Sequence, residues 1–209
     1  MKKTLLVLAL TVGLLLPAAA FADTAAWEFS TPGNSFNNTV GYSLGDVFVA
    51  TSNMYVTFLG YYAPAGAAGL IENHGVSLYN ANGGLLASTV INSTAGYFTA
   101  HFVYNPVTPV ELFAGQTYVI DGASGFIDPY AFNDPGFTVY APINLLGDNW
   151  IGGNGDYFTG TNVIGDVSDG FWGPNFGWTT SAPTPEPGTL MMLGTGVVGL
   201  AGMLRRKLF

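Results

Sequence analysis

Oxygen-bearing side chains gather in a glycine-rich stretch in the C-terminal third of the chain. Asp148, Asn154 and Asp156 lie close together there, with Asp166 and Asp169 a little downstream. Carboxylate, amide and backbone carbonyl oxygens are the ligands that Ca²⁺ prefers in proteins. We therefore predict a calcium site at Asp148, Asn154 and Asp156. A solvated loop of ordinary turn residues is the alternative, because the stretch lacks the EF-hand pattern.

Aromatic side chains crowd the same stretch and include three of the four tryptophans, Trp150, Trp172 and Trp178. Flat rings can stack on sugar rings while neighbouring amides and carboxylates bond the hydroxyl groups. The three tryptophans are therefore candidates for stacking on a carbohydrate. Packing in the core, or covering a sheet edge, is the alternative reading of the same residues.

Residues for acid–base or nucleophilic catalysis are scarce. His74 and His101 are the only histidines, cysteine is absent, and no Gly-x-Ser-x-Gly turn exposes a serine. We predict that each histidine bonds to backbone and that the protein is not an enzyme. A glycan-active enzyme with two carboxylates stays open as an alternative, because such a pair leaves no sequence signature.

Charge separates the chain into three parts. The five basic residues are confined to the two ends, so residues 23–184 contain no Lys and no Arg. Of the 13 acidic residues only Glu186 lies outside that segment, which leaves it with a formal charge of −12. Nucleic acids and anionic lipid surfaces need cationic partners, so both are excluded as ligands of this segment.

The segment consists of short runs rich in β-branched and aromatic residues, separated by Gly, Asn and Pro. This pattern, without a stretch of helical period, predicts an all-β antiparallel β-sandwich. Asn80 to Gly84 has the residues of a tight hairpin turn. From Asp148 to Trp178 we expect long loops with two or three further strands. The other predicted strands are Val47 to Thr51, Met54 to Tyr61, Val76 to Tyr79, Leu85 to Ile91, Tyr97 to Tyr104, Val110 to Phe113, Gln116 to Asp121 and Phe137 to Tyr140.

The N-terminus, residues 1–22, has the three parts of a secretory signal peptide. Lys2 and Lys3 precede an apolar helical stretch, and small residues at Ala20 and Ala22 fit the pockets of signal peptidase. We predict that signal peptidase cleaves before Asp23. The protein is therefore expected to be exported.

The C-terminus has the composition of a single transmembrane helix. Residues 189–204 contain no charged residue, and Arg205, Arg206 and Lys207 follow as a cytoplasmic stop. A Ser/Thr/Pro linker, residues 179–184, precedes this tail, and we expect it to hold the domain away from the bilayer. The precursor is thus predicted to pass through an inner-membrane intermediate.

The tail, residues 185–209, resembles the PEP-CTERM sorting signal. It opens with Pro185, Glu186 and Pro187, continues with the glycine-rich apolar stretch, and ends with the basic triplet. The resemblance implies that an exosortase, a membrane-embedded transpeptidase, recognises the tail and processes it near Pro-Glu-Pro. The exosortase would then leave the protein at the cell surface or outside the cell.

The exported domain, residues 23–178, is similar over residues 40–122 to a domain that recurs in PEP-CTERM proteins. That likeness implies a jelly-roll or immunoglobulin-like sandwich, with His74 making a structural hydrogen bond at the start of a strand. It is carried by Tyr42-Ser43-Leu44-Gly45, Val56-Thr57-Phe58-Leu59-Gly60-Tyr61, His74-Gly75-Val76-Ser77-Leu78-Tyr79 and the run from Thr108 to Ile120.

Together these features predict a structural or interaction role in a polysaccharide-rich matrix or biofilm, with exopolysaccharide as a partner and no resident cofactor. The alternative is a carbohydrate-binding module, with calcium as its ion. The third hypothesis is the glycan-active enzyme.

Overall fold

The computed structural model describes residues 23–30, 34–36, 40–99, 101–132, 136–165 and 170–182. Within these ranges the protein is all-β, with one turn of 3-10 helix at Ala67–Gly69 and no α-helix. The strands in chain order are β1 (Thr24–Ala25), β2 (Trp27–Glu28), β3 (Asn34–Phe36), β4 (Tyr42–Ala50), β5 (Met54–Tyr62), β6 (His74–Asn80), β7 (Leu85–Ile91), β8 (Tyr97–Thr99), β9 (Phe102–Leu112), β10 (Thr117–Ala123), β11 (Tyr130–Phe132), β12 (Thr138–Val139), β13 (Ile143–Gly152), β14 (Phe171–Trp172) and β15 (Pro174–Thr179).

The long strands form two five-stranded antiparallel sheets that pack face to face. One sheet has the order β1-β15-β5-β9-β8 and the other the order β13-β4-β10-β6-β7. A three-stranded sheet, β14-β11-β3, and the short pair β12-β2 complete the fold. The predicted antiparallel sandwich is confirmed. The consecutive long strands β4 and β5 lie in different sheets, because β4 pairs with β10 and β13 and not with β5.

The core between the sheets is aromatic and continuous. Phe48 of β4 stacks on Phe176 of β15 with 4.8 Å between ring centroids, and Trp27 meets the same phenylalanine edge-on. Stacked and edge-on pairs of this kind add about 0.5–1.5 kcal/mol each beyond the burial of their area. The core therefore stabilises the fold without disulfides, since the chain has no cysteine.

The hairpin that the sequence predicts at Asn80 to Gly84 joins β6 and β7. Asn80 Oδ1 accepts hydrogen bonds from the backbone N–H groups of Asn82 and Gly84, both at 2.9 Å. Gly83 has a φ of 80°, a conformation that favours glycine. Local turn chemistry thus fixes this connection.

Three sequence predictions about strands are corrected by the structure. Val110 to Phe113 is not a separate strand, because β9 runs without a break from Phe102 to Leu112. Tyr97 to Tyr104 is not one strand but two, β8 and β9, because His101 has a φ of 69° and reverses the chain. Asp148 does not open a loop but lies inside the ten-residue strand β13, which pairs with β4 along its length. Hydrogen bonding with a neighbouring strand therefore overrides the loop-like composition of that segment.

Strand directions give the sandwich two distinct ends. β15 ends at Thr179, beside the start of β5, so the chain leaves the domain toward the tail at what we call the proximal end. Tyr42, at the start of β4, lies at the opposite or distal end. A strand of nine residues rises about 3.3 Å per residue, so the ends are about 30 Å apart.

The predicted signal helix and transmembrane helix fall outside the described residues, as do Ala20, Ala22 and the sorting residues from Pro185 to Lys207. Within the described ranges the protein has no helix with the length and apolar character needed to cross a membrane. Asp23, the predicted first residue after cleavage, immediately precedes β1.

Candidate interaction surface

Large apolar side chains are exposed at the distal end of the sandwich. They belong to loops that the fold brings together, since a Cβ built on Gly41 would lie 3.1 Å from the Phe126 ring and 2.7 Å from Cβ of Asn154. A cluster of exposed apolar side chains is typical of a contact surface. The group, which we call the distal surface, consists of Val40, Ile71, Phe126, Ile127, Trp150 and Tyr157.

Glu72 holds the loop at residues 126–128 through its carboxylate. Its Oε2 accepts hydrogen bonds from the backbone N–H groups of Phe126, Ile127 and Asp128 at 2.7, 2.6 and 3.2 Å. A carboxylate that accepts several N–H groups holds the backbone more firmly than neutral acceptors do. The apolar side chains of Phe126 and Ile127 are therefore presented on an ordered loop.

Asp128, on the loop that Glu72 holds, bonds in return to the loop that carries Glu72. Its carboxylate accepts hydrogen bonds from the backbone N–H groups of Ile71 and Glu72, both at 2.8 Å. It also lies 3.0 Å from Nε2 of His74, which is buried at the start of β6. The two loops thus bind each other through one carboxylate each, and we call this arrangement the carboxylate clamp.

His74 is structural, as the sequence predicts. Its Nδ1 donates to the backbone oxygen of Ala123 at 2.9 Å, and its ring stacks on Tyr61 at 3.9 Å. Since a carbonyl only accepts, Nδ1 is the donor of the first contact, and Nε2 faces the Asp128 carboxylate at 3.0 Å. Both ring nitrogens are therefore occupied in a buried site, which leaves His74 no free nitrogen to activate a serine.

The predicted calcium residues do not come together. Asp148 lies on β13, whereas Asp156 accepts a hydrogen bond of 2.6 Å from Ser77 on β6. Three strand spacings separate β13 from β6, about 14 Å in all, which is too far for one ion. Asn154 instead accepts a 2.9 Å hydrogen bond from the backbone N–H of Gly125. Asp166 and Asp169 lie outside the described residues.

The three candidate tryptophans have different environments. Trp150 is 40% exposed on β13 and packs edge-on against Tyr42 at 5.2 Å, so it alone presents a ring to solvent. Trp172 is 1% exposed and stacks on Phe137 at 4.3 Å. Trp178 is 8% exposed within β15. The stacking prediction is therefore corrected for Trp172 and Trp178, which are core residues.

Buried carboxylates that the sequence did not single out lie on the sheet beneath the distal surface. Asp46 on β4 is fully buried, and burial, together with the nearby charges of Asp148 and Asp121, raises its pKa well above the ordinary value. Burial raises the pKa of Asp121 to about 7, although hydrogen bonds from Thr159 oppose the shift. No sequence signal distinguishes these aspartates from exposed ones, because the alternation of the strand is obscured by burial on both faces.

The segment after β13 covers the outer face of this sheet. Ser43 Oγ donates to the backbone oxygen of Tyr157 at 2.9 Å, and Tyr79 Oη donates to that of Asp156 at 2.8 Å. Thr159 Oγ1 donates to Asp121 at 2.7 Å. This segment therefore holds Tyr157 on the distal surface through bonds to three different strands.

Comparison with known families identifies two regions of the chain. A family described as "Domain of unknown function (DUF4082)" matches residues 29–165, and the "PEP-CTERM protein-sorting motif" matches residues 183–207. A comparison with curated proteins finds no match. The first match covers more than half of the chain and includes every residue of the distal surface. The second confirms the resemblance of the tail to the sorting signal and supports an exported protein that an exosortase sorts to the cell envelope or surface.

Proposed function

Because the chain belongs to the DUF4082 domain family and ends in a PEP-CTERM sorting motif, we propose that it is a non-enzymatic surface protein that binds a component of a polysaccharide-rich matrix through its distal surface. Its route runs through signal peptidase, an inner-membrane intermediate and exosortase processing. The product remains at the cell surface or in the extracellular matrix.

One observation carries this proposal: the exposed apolar residues of the distal surface lie at the end of the sandwich opposite Thr179, where β15 ends. A domain held at the membrane through Thr179 directs that end outward. The carboxylate clamp orders the loops before any ligand arrives, which lowers the entropic cost of binding. Position and order together favour contact with material outside the cell.

Carbohydrate binding is the second candidate function, and Trp150 favours it. Its ring is exposed, and Asn154 and Tyr157 at the same end provide amide and hydroxyl groups. Such a combination can stack on a sugar ring and bond its hydroxyls. In this reading the polysaccharide itself is the ligand of the distal surface.

Catalysis receives no comparable support. The buried His74 has both nitrogens engaged, and Glu72 and Asp128 are engaged by backbone N–H groups. We therefore propose a binding role and not a glycan-active enzyme. Turnover of polysaccharide by the purified protein would contradict this part of the proposal.

Binding of the full chain, exported and purified in detergent, to immobilised extracellular polysaccharide tests the distal surface. Phe126→Ala should weaken binding, whereas Phe113→Ala should not, because Phe113 is similarly exposed but lies at the proximal end. Trp150→Ala tests stacking on sugar: it should weaken binding if the exposed ring stacks on the polysaccharide. Equal binding by Phe126→Ala and Phe113→Ala proteins would show that the distal surface is not the binding site.

A further inference from the structure

Asp46 occupies a position where an ionised group is unfavourable. It lies in the middle of β4, and strand alternation places its side chain on the same face as Leu44 and Phe48, which are both buried. Asp46 is fully buried, and neither of its carboxylate oxygens has a hydrogen-bond partner. A carboxylate removed from water in this way requires a compensating charge or a proton.

Asp148 lies directly beside it. The two aspartates are opposite partners in the β4–β13 ladder, so their side chains share one face, and Cβ atoms of such partners are about 4.5–5.5 Å apart. Asp148 is also buried, and its Oδ2 accepts a hydrogen bond from the backbone N–H of Phe171 at 3.2 Å. The structure therefore places two carboxylates together out of contact with water.

The chain packs closely around this pair. A Cβ built on Gly165 would lie 1.8 Å from Asp148 Oδ1, so the backbone of Gly165 approaches that carboxylate closely. The backbone oxygen of Asp148 accepts hydrogen bonds from Ile164 and Gly165 at 2.9 and 3.3 Å. The backbone at Ile164 and Gly165 thus packs along the edge strand β13 beside the pair.

The domain offers no lysine or arginine to neutralise the pair. Residues 23–184 contain neither Lys nor Arg. His74 is engaged with Asp128, and His101 lies in the turn between β8 and β9. A compensating charge must therefore come from outside the chain.

We propose that Asp46 and Asp148 bind a calcium ion inside the sandwich. Ca²⁺ accepts carboxylate and backbone carbonyl oxygens in a flexible shell, which suits two adjacent aspartates closed over by backbone. In the part of the chain that the structure describes, no three His, Cys, Asp or Glu side chains form a metal-binding group. Backbone carbonyl oxygens, and any water that enters with the ion, must therefore complete its shell. This site is distinct from the distal surface and shares only Asp148 with the calcium site predicted from sequence.

A single proton shared by the two carboxyl groups is the competing arrangement. Burial and the charge of Asp148 raise the pKa of Asp46, and two adjacent acids titrate as a coupled pair. Bound calcium stabilises the fold at neutral pH, and this stabilisation increases with calcium concentration. A shared proton stabilises it only on acidification and without calcium.

Calcium titration of the full chain, purified in detergent and freed of metal with chelator, tests the proposal. Calorimetry at pH 7.5 should give about one calcium ion per chain, and millimolar calcium should raise the melting temperature by several degrees by mass action. The same melting temperature in calcium and in chelator would overturn the site. So would a melting temperature that responds to acidification alone.

Substitutions locate the ion. Asp46→Asn and Asp148→Asn should each abolish the calcium-dependent rise in melting temperature. Asp156→Asn is the matched control and should keep it, because Asp156 bonds to Ser77 on the other side of the sheet. A calcium response that survives in both Asp46→Asn and Asp148→Asn proteins would place the ion elsewhere and overturn the proposal. If one variant does not fold, the melting temperature of the other variant and the number of calcium ions bound by the wild-type protein still test the site.

Discussion

Thr24 lies directly opposite Trp178 in the β1–β15 pair. The first strand, β1, and the last strand, β15, are thus neighbours at one edge of a sheet. The predicted cleavage site before Asp23 and the linker after Trp178 therefore leave the sandwich from the same end. A precursor held by both of its predicted membrane segments would present the distal surface away from the bilayer.

Glu186→Ala should block processing while leaving membrane insertion intact, because the hydrophobicity of the tail does not change. Immunoblots of membrane fractions should show the longer precursor accumulating. Deleting Arg205 to Lys207 is the contrasting variant and should weaken membrane retention, since the short apolar stretch then has no cytoplasmic stop. Surface display of the Glu186→Ala protein at the wild-type level, in cells with an active exosortase, would show that Pro-Glu-Pro is incidental.

Removing the Glu72 carboxylate should loosen the distal loops. Glu72→Ala leaves three backbone N–H groups without their acceptor, and each buried unsatisfied group costs about 1–3 kcal/mol, with less for those that water reaches. Hydrogen exchange should accelerate at residues 126–128. Glu111→Ala, an exposed change on β9, serves as control and should leave exchange there unaltered.

His74→Ala should lower the free energy of unfolding by at least about 1–3 kcal/mol, since the buried Ala123 carbonyl loses its donor and Asp128 keeps only its backbone donors. Urea denaturation of both histidine variants provides the measurement. His101→Ala should change stability less, because the backbone oxygen that bonds to Ala63 stays in place and the residue lies in a turn. Similar losses from the two substitutions would contradict a structural role specific to His74.

Asp121 should make the protein more stable in mild acid than at neutral pH. Its folded pKa is raised to about 7 from a model-peptide value of 3.8, so the folded state binds the proton more tightly than the unfolded state. The stabilisation from this group is complete below about pH 3.8 and is lost as pH rises through about 7. Asp121→Asn should flatten this part of the stability profile when melting temperatures are measured in chelator. An unchanged slope would show that another group causes it.

The sequence predicts those features that local chemistry determines. The β6–β7 hairpin follows from Asn80 and Gly83, whose side chain and backbone freedom make the turn without help from the rest of the chain. Strand β13 was not predicted because Asp148 and Asn149 resemble loop residues, and only pairing with β4 makes them part of a sheet. Whether such residues lie in a strand or a loop depends on their long-range partners, which a local sequence pattern does not contain.

In the candidate site, too, the sequence indicates residue types but not their long-range contacts. Composition makes all three tryptophans candidates for stacking on a carbohydrate. It cannot separate the exposed Trp150 from Trp172 and Trp178, because burial depends on what packs over each ring. The carboxylate clamp joins Glu72 to Phe126 and Asp128 across more than fifty residues. Neither contact has a sequence spacing that could reveal it.

β15 has a mechanical consequence for a tethered protein. The strand that leads to the tail lies inside its sheet, between β1 and β5, and runs along the axis that joins the two ends. The hydrogen bonds of antiparallel strands are perpendicular to the strands. A pull between the tail and the distal surface therefore loads the β15–β5 ladder in shear, with its bonds sharing the force together instead of opening one after another. The β15–β5 ladder therefore lies in the orientation in which antiparallel strands resist such a pull.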